Sequence, residues 1–367
     1  MKIATIGGGL SGLFSSLKLA KYGCDIDLYE EHEQIGYPKH CTGLVSENTL
    51  KMLGDFGKAC NDVSFNSIKF EFFGKGEIVF RPIYRIAHLD RVCLEKRIAQ
   101  AFVEAGGRIN LGRKATLVDK NHILVKDQLL RYDHILVAEG IRMTYSKMYL
   151  DELKKVKKIF GINVIYRAKN ELDAIRVGFH PNIAEGFFYW IFPLSDETIE
   201  VGLGTEKPEH IEASLKTILR THRFYNVKEV ERYGGLIGVG PSASKQRIDS
   251  LTFLGDAFGL QKPLSGGGIY PIVKSTIDVK GKNCEESLLK LRKNTENISK
   301  ELRKQLMTAR LIQSNFFPFF GRTITGILGK VEIRDIEGLF DYDRHDLILP
   351  NLLLKIGKLA KEFKINL

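Results

Sequence analysis

Residues 3–12 read IATIGGGLSG, a short apolar run followed by closely spaced glycines, and Glu30 ends the next apolar run. In a strand–turn–helix unit, Gly7 permits the tight turn, Gly9 lets the backbone approach a diphosphate, and Gly12 lets the helix pack closely on its strand. The helix that follows offers unsatisfied amides and the positive end of its dipole to that diphosphate. The carboxylate of Glu30 can accept hydrogen bonds from both ribose hydroxyls. The stretch therefore predicts a dinucleotide-binding site.

The composition is that of an ordinary globular protein. The chain has 367 residues, of which 44% are hydrophobic and 27% charged, enough for two intertwined domains. It begins directly with the first predicted strand, and no apolar run is as long as a membrane span, so we expect no signal peptide and a cytoplasmic location. The net charge of +11 is spread over Lys and Arg interleaved with Glu, which favours solubility over a nucleic-acid partner.

The cysteines stand at positions 24, 41, 60, 93 and 284, so they are odd in number, scattered and without a C-x-x-C pair. This spacing argues against a disulfide framework, a zinc site and a cysteine-bound iron–sulfur cluster. It favours a reducing compartment, and we expect no metal site.

Strands and helices alternate at the start of the chain, as a doubly wound sheet requires. The predicted elements there are strand 2–6, helix 11–22, strand 25–30, helix 89–105 and short strands around 108–111, 116–119, 122–126 and 134–138. Four antiparallel strands follow, at 161–166, 174–179, 186–192 and 198–203, before strand 251–254 returns to the first domain. We therefore predict an α/β fold: a Rossmann-type domain (1–155 and 246–285), an inserted antiparallel β-sheet substrate domain (156–245) and a helical C-terminal region (286–367).

A second glycine-rich stretch, GDAFGLQKPLSGGGI at 255–269, follows the returning strand. An acid directly after a strand, here Asp256, can hold a ribityl hydroxyl. Glycines at a helix start present backbone amides, which suit the negative charge that develops at N1 and the C2 carbonyl of a reduced flavin. Together with the N-terminal stretch, these residues predict a flavin site.

The sequence resembles the FAD-dependent geranylgeranyl reductases, within the larger flavoprotein group typified by aromatic-ring hydroxylases. The resemblance rests on the N-terminal stretch with Glu30, on 36–43 (GYPKHCTG), 186–193 (GFFYWIFP) and 255–269, and it extends through 138–140 (AEG). It implies bound FAD, an elongated lipid pocket above the flavin, and saturation of double bonds in a geranylgeranyl or polyprenyl lipid by hydride from reduced FAD.

The resemblance also implies which residues form the site. Those implied to bind the cofactor are Gly7, Gly9, Ser11, Gly12, Glu30, Cys41, Thr42, Gly43, Arg85, Ala115, Gly255, Asp256, Pro263, Gly266, Gly267, Gly268 and Ile269, and those implied to contact substrate are Phe188, Trp190, Phe192 and Pro193. Three departures from the family pattern concern the substrate more than FAD. Phe188 stands where a tyrosine is usual, Thr42 is inserted between Cys41 and its glycine, and Arg85 lies about one residue out of register.

Two features are open to more than one interpretation. Phe188, Trp190 and Phe192 share one face of a strand under period-two alternation, so they form either a wall for an isoprenoid chain or ordinary sheet core. Cys41, implied to lie beside the isoalloxazine, either delivers a proton as the candidate catalytic residue or packs as a small apolar side chain.

A flavin monooxygenase or halogenase on the same fold is the main alternative function, and a non-catalytic lipid carrier is a third. An intact dinucleotide motif disfavours the carrier, which needs no flavin. As the electron donor we expect ferredoxin or NAD(P)H, and we expect a monomer.

The C-terminal stretch 352–364 suggests how the chain meets a lipid. Its apolar residues Leu352, Ile356, Leu359 and Phe363 fall on one helical face, with Lys355, Lys358, Lys361 and Lys364 mostly elsewhere. This pattern is typical either of a peripheral helix on anionic membranes or of a final helix packed on the protein. Residues 315–320 (NFFPFF) either line the pocket or touch a membrane.

Overall fold

The computed structural model describes residues 1–72, 77–313, 335–338 and 341–344. The strands, in chain order, are β1 (Lys2–Ile6), β2 (Asp25–Tyr29), β3 (Leu44–Ser46), β4 (Asn61–Phe65), β5 (Ile68–Phe72), β6 (Glu77–Arg81), β7 (Ile86–Leu89), β8 (Arg108–Asn110), β9 (Thr116–Leu117), β10 (His122–Val125), β11 (Gln128–Arg131), β12 (His134–Val137), β13 (Lys157–Arg167), β14 (Ile175–Phe179), β15 (Tyr189–Ser195), β16 (Thr198–Thr205), β17 (Lys228–Val239), β18 (Leu251–Phe253) and β19 (Asp335–Glu337). The α-helices are α1 (Leu10–Ala20), α2 (Glu47–Leu53), α3 (Asp55–Cys60), α4 (Arg91–Glu104), α5 (Ser146–Tyr149), α6 (Ile211–Thr221), α7 (Ile269–Thr276) and α8 (Cys284–Gln313).

The Rossmann-type sheet has the strand order β18-β12-β1-β2-β8, with parallel pairing throughout. Its central strand β1 is buried from Ile3 to Ile6, as expected for a parallel strand covered on both faces. Helix α4 begins after Asp90, whose carboxylate accepts from the amides of Val92 and Cys93, a stabilising N-cap. The predicted fold class is confirmed.

The second large sheet has the order β17-β13-β16-β15-β14-β5-β6-β19 in the described part of the chain. Its centre, β13-β16-β15-β14, is antiparallel and corresponds to the four predicted strands. The sheet also takes in β5 and β6, which precede residue 156, and the long strand β17, none of which the sequence analysis assigned. The four domain ranges stay a proposal.

The cysteine pattern was misleading. Cys24 is bonded to Cys284, and Cys60 to Cys93. All five cysteines lie in the described residues, and Cys41 alone is free. The argument against disulfides was therefore wrong, because the fold brings together cysteines 260 and 33 residues apart, and sequence spacing does not show such pairs. Structural disulfides are typical of oxidising compartments and also of intracellular hyperthermophile proteins.

The C-terminal region begins with the long helix α8. The two stretches considered for lipid contact, 315–320 and 352–364, lie outside the described residues. Among the helices that are described, none combines the length and the apolar character needed to cross a bilayer.

Candidate active site

One cleft lies between the glycine loops of the parallel sheet and one face of the antiparallel sheet. It holds about 1440 Å³ of space, open solvent included. The predicted site residues that line it are Gly9, Ser11, Cys41, Thr42, Gly43, Phe188, Trp190, Asp256, Gly266, Gly267, Gly268 and Ile269. The structure thus brings together residues from all four motif segments.

Gly7 and Gly12 shape the first loop from behind and do not line the cleft. Gly7 has a φ of +104°, and a Cβ there would lie 2.3 Å from the carbonyl oxygen of Ala138. A Cβ at Gly12 would lie 2.0 Å from the carbonyl oxygen of Gly7. At Gly9, by contrast, no described atom lies within 4 Å of the Cβ position. Gly9 therefore faces open space where a ligand could approach the backbone.

Glu30 follows β2 beside this loop, outside the cleft lining. One carboxylate oxygen accepts from the amide of Gly8 at 2.7 Å. The other accepts from the backbone amide of His32 at 2.9 Å and contacts its ring nitrogen Nδ1 at 2.5 Å. The acid is thus fixed next to the glycine loop, as the motif predicts.

An arginine reaches the cleft, but not the predicted one. Arg85 is exposed and donates to the carbonyl of Ser64, so the structure does not bring it to the site. Arg91, the first residue of α4, lines the cleft instead and pairs with Glu95. The same carboxylate oxygen of Glu95 also accepts from the amide of Leu10, which ties α4 to the start of α1. The sequence signal was present: Arg91 directly follows the Asp90 helix cap.

Asp256 lies in the turn after β18, against the first helix. Gly255 adopts a φ of +57°, and a Cβ there would lie 2.7 Å from Oγ of Ser11. Burial raises the pKa of the Asp256 carboxyl, and the charges of His40 and Arg91 oppose that rise. The turn therefore holds a desolvated acid at the base of the cleft, close to two basic groups.

The second glycine loop closes on Lys262. The amide of Gly266 donates to the carbonyl of Lys262, and the amide of Lys262 donates to the carbonyl of Gly267. Lys262 itself is buried, and its ammonium lies 2.7 Å from the carboxylate of Asp343. Asp343 also accepts from the amide of Ser46 and the hydroxyl of Thr49. The pair anchors residues 341–344 at the cleft, which the sequence analysis did not foresee.

A hydrogen-bonded group joins the Cys41 loop to the antiparallel sheet. The side-chain oxygen of Asn163 accepts from the hydroxyl of Thr42 at 2.9 Å and from the indole nitrogen of Trp190 at 3.0 Å. The indole lies across Gly202, where a Cβ would come within 2.2 Å of it. Asn163 was missed because its role depends on the pairing of β13 with its neighbours.

Several predicted residues lie elsewhere. Phe192 is buried and packs edge-on against Phe65, and neither it nor Pro193 lines the cleft. Phe188 does line the cleft, but it precedes β15 rather than lying within it. Ala115 is buried in a separate core cluster. Gly255 and Pro263 belong to the second loop without lining the cleft.

Comparisons with known proteins agree with this architecture. Residues 5–41 match the family model for an NAD(P)-binding Rossmann-like domain. The chain is 26% identical over 294 residues to the digeranylgeranylglycerophospholipid reductase of Methanocaldococcus jannaschii, covering 73% of each chain. It is 25% identical to that of Methanococcus vannielii, covering 98% of this chain and 93% of the relative. The resemblance to the geranylgeranyl reductases is confirmed.

Solved structures show the same fold. A geranylgeranyl bacteriochlorophyll reductase-like protein from Thermoplasma acidophilum superposes with a TM-score of 0.80 at 15% identity, covering 99% of this chain and 98% of that one. A flavin-dependent brominase superposes with a TM-score of 0.64 at 13% identity, covering 98% and 100%. The reductase-like protein and the brominase thus share their fold with this chain.

Proposed function

We propose that this protein is a flavin-dependent reductase that saturates double bonds of a geranylgeranyl or polyprenyl lipid. The observation that carries the proposal is the composition of this cleft. Gly9 and Asp256, suited to a dinucleotide, face the same space as the apolar side chains of Ile175, Val177 and Trp190. The names of the reductase relatives point to the same substrate class.

The residues of the cleft fit FAD. Gly9 leaves its Cβ position open, and two buried polar atoms, Arg91 Nε and Ser265 Oγ, have no hydrogen-bond partner among the described residues. Such atoms are costly unless a ligand or water satisfies them. We assign the adenosine ribose to Glu30, the diphosphate to the start of α1 with Arg91, and the ribityl chain to Asp256.

Reduced FAD supplies the hydride, and the protein supplies orientation, a dry pocket and the proton. Phe188 and Trp190 form an aromatic floor of the cleft, which holds the hydrocarbon chain by apolar burial, worth about 25 cal/mol per Å². Cys41 is free and lines the cleft, and we assign the proton to its thiol. The backbone amides of Gly267 and Gly268 would hold the isoalloxazine, since the amide of Gly266 donates to Lys262.

A flavin monooxygenase or halogenase is the second candidate, because halogenating enzymes share the fold. The two classes differ in their use of oxygen. The proposal includes ferredoxin or NAD(P)H as the electron donor. It also includes a lipid surface from which the substrate is drawn.

The deciding experiment is turnover of a prenyl lipid by the chemically reduced enzyme under strict anaerobiosis. We expect a product heavier by two mass units for each double bond reduced. A product that gains oxygen or halogen and forms only in air would replace the proposal with the second candidate. Repeating the assay with ferredoxin or NADPH as the reductant identifies the donor, and supplying the lipid in anionic or neutral vesicles tests peripheral membrane contact.

A further inference from the structure

A buried acid lies on the antiparallel sheet, which forms one side of the cleft. Glu200 on β16 is fully buried, and one of its carboxylate oxygens accepts from the hydroxyl of Tyr233 on β17 at 2.7 Å. The other oxygen has no hydrogen-bond partner among the described residues. A desolvated carboxyl with one unmatched oxygen is costly in a purely structural role.

The loop that carries Cys41 covers this pair. The ammonium of Lys39 lies 4.2 Å from the centre of the Tyr233 ring and 3.2 Å from the carboxylate of Glu231. Thr42 is bonded to Asn163, and Asn163 is the cross-strand partner of Tyr233. Residues on both sides of Cys41 thus contact Tyr233 or its strand partner, and Cys41 is near enough to Tyr233 to raise the pKa of the phenol.

Four groups face the Glu200 carboxyl from the packed elements: His88 on β7, Tyr233 and Glu231 on β17, and Lys39 in the loop. Burial raises the pKa of Glu200 to about 7, although His88, the Tyr233 hydroxyl and Lys39 act to lower it. Burial and the charge of Glu200 raise the pKa of Tyr233, and the nearby Cys41 adds to that rise. The pKa of the Glu200 carboxyl thus lies near neutral pH, where a proton donor is most useful.

We propose that Glu200 is the acid reserve of the cleft, returning a proton to Cys41 through the hydroxyl of Tyr233 after each turnover. This inference rests on the proposed function. Glu200 and Tyr233 are positioning residues, since they act through the thiol rather than on substrate.

The proton balance is simple. When the Cys41 S–H bond breaks, its proton forms the new C–H bond on the alkene carbon opposite the hydride, leaving a thiolate beside Arg91. The Tyr233 hydroxyl gives its proton toward the sulfur as it takes the proton of Glu200, so no phenolate forms. The Glu200 carboxylate then regains a proton from solvent.

Alkylation of Cys41 by iodoacetamide tests the coupling without any substrate. Cys41 is the one free cysteine among the described residues, which include all five, so the modification is read at a single site by mass spectrometry. Above pH 7 an ionised Glu200 disfavours the thiolate. We therefore expect Glu200→Gln to react about three- to tenfold faster than wild type at pH 8 and equally fast at pH 6. Tyr233→Phe should also change how the rate of Cys41 alkylation depends on pH.

The matched control is Glu197→Gln, an exposed acid in the turn before β16, whose profile should overlay that of wild type. In anaerobic turnover, Glu200→Gln should lower kcat at least tenfold with little change in KM. Superimposable alkylation profiles for wild type and Glu200→Gln would overturn the inference, as would an unchanged kcat. Failure of the proposed function would instead show as the absence of any reduced prenyl product from wild type, whatever the alkylation profiles.

Discussion

The glycine loop of the parallel sheet and the aromatic floor of the antiparallel sheet face one cleft, but contacts of different kinds hold them. At the loop, backbone touches backbone: Gly12 lies against the carbonyl of Gly7, and Gly7 against that of Ala138. At the floor, side chains from three different elements meet at Asn163. Gly7 and Gly12 therefore tolerate no added atom, whereas the floor tolerates changes that keep its hydrogen bonds.

The largest effect is expected at Gly12. Gly12→Ala would place a methyl 2.0 Å from the Gly7 carbonyl oxygen, and neither backbone segment can yield without moving α1 off the sheet. We expect a loss of about 4–5 kcal/mol or failure to fold, measured by urea unfolding. Gly9→Ala is the matched control, because its Cβ position is open. That variant should keep the stability of wild type and lose affinity for FAD. Equal destabilisation by both would contradict the distinction between shaping and binding glycines.

The second effect tests the anchor of the C-terminal segment. Lys262→Met leaves the Asp343 carboxylate buried without its cation. Removing one partner of a buried ion pair costs about 3–5 kcal/mol. Adding Asp343→Asn should recover more than half of that loss, since the amide oxygen can still accept from Ser46 and Thr49. No recovery in the double variant, by urea unfolding, would show that Lys262 stabilises the loop through something other than the pair.

The separation along the chain of the residues in contact also explains what the sequence could predict. The first strand, glycine loop and acid lie within thirty residues and obey local rules, so β1 was predicted from Lys2 to Ile6 as observed. Strand β17 was missed because most of it is exposed and its burial does not alternate. Asn163, Arg91 and the Lys262–Asp343 pair depend on strand register or on residues far apart in the chain. The two disulfides were missed for the same reason.

The third effect is a pH dependence of the free energy of unfolding that comes from Glu200 on the antiparallel sheet. The carboxyl of Glu200 has a pKa of about 7 in the folded protein against 4.5 ordinarily, so the unfolded chain releases this proton at lower pH. The protonated Glu200 carboxyl therefore stabilises the folded protein fully below pH 4.5. This stabilisation, roughly 3 kcal/mol at most, is lost as the pH rises to about 7. Urea unfolding at pH 5 and pH 8 should show this loss in wild type and not in Glu200→Gln. An identical difference in both proteins would assign the pH dependence to other groups.

The smallest effect is expected at Trp190, and it separates the two regions most sharply. Trp190→Phe removes the indole donor to Asn163 but leaves the Thr42 hydrogen bond to the same oxygen. The loss should be about 1 kcal/mol, the net value of one hydrogen bond. Because the indole lines the cleft, we expect KM for a prenyl lipid to rise several-fold while the Kd for FAD stays unchanged, as measured by flavin fluorescence. A parallel fall in FAD affinity would mean that the floor also positions the cofactor, and that binding and substrate contact are not divided between the two sheets.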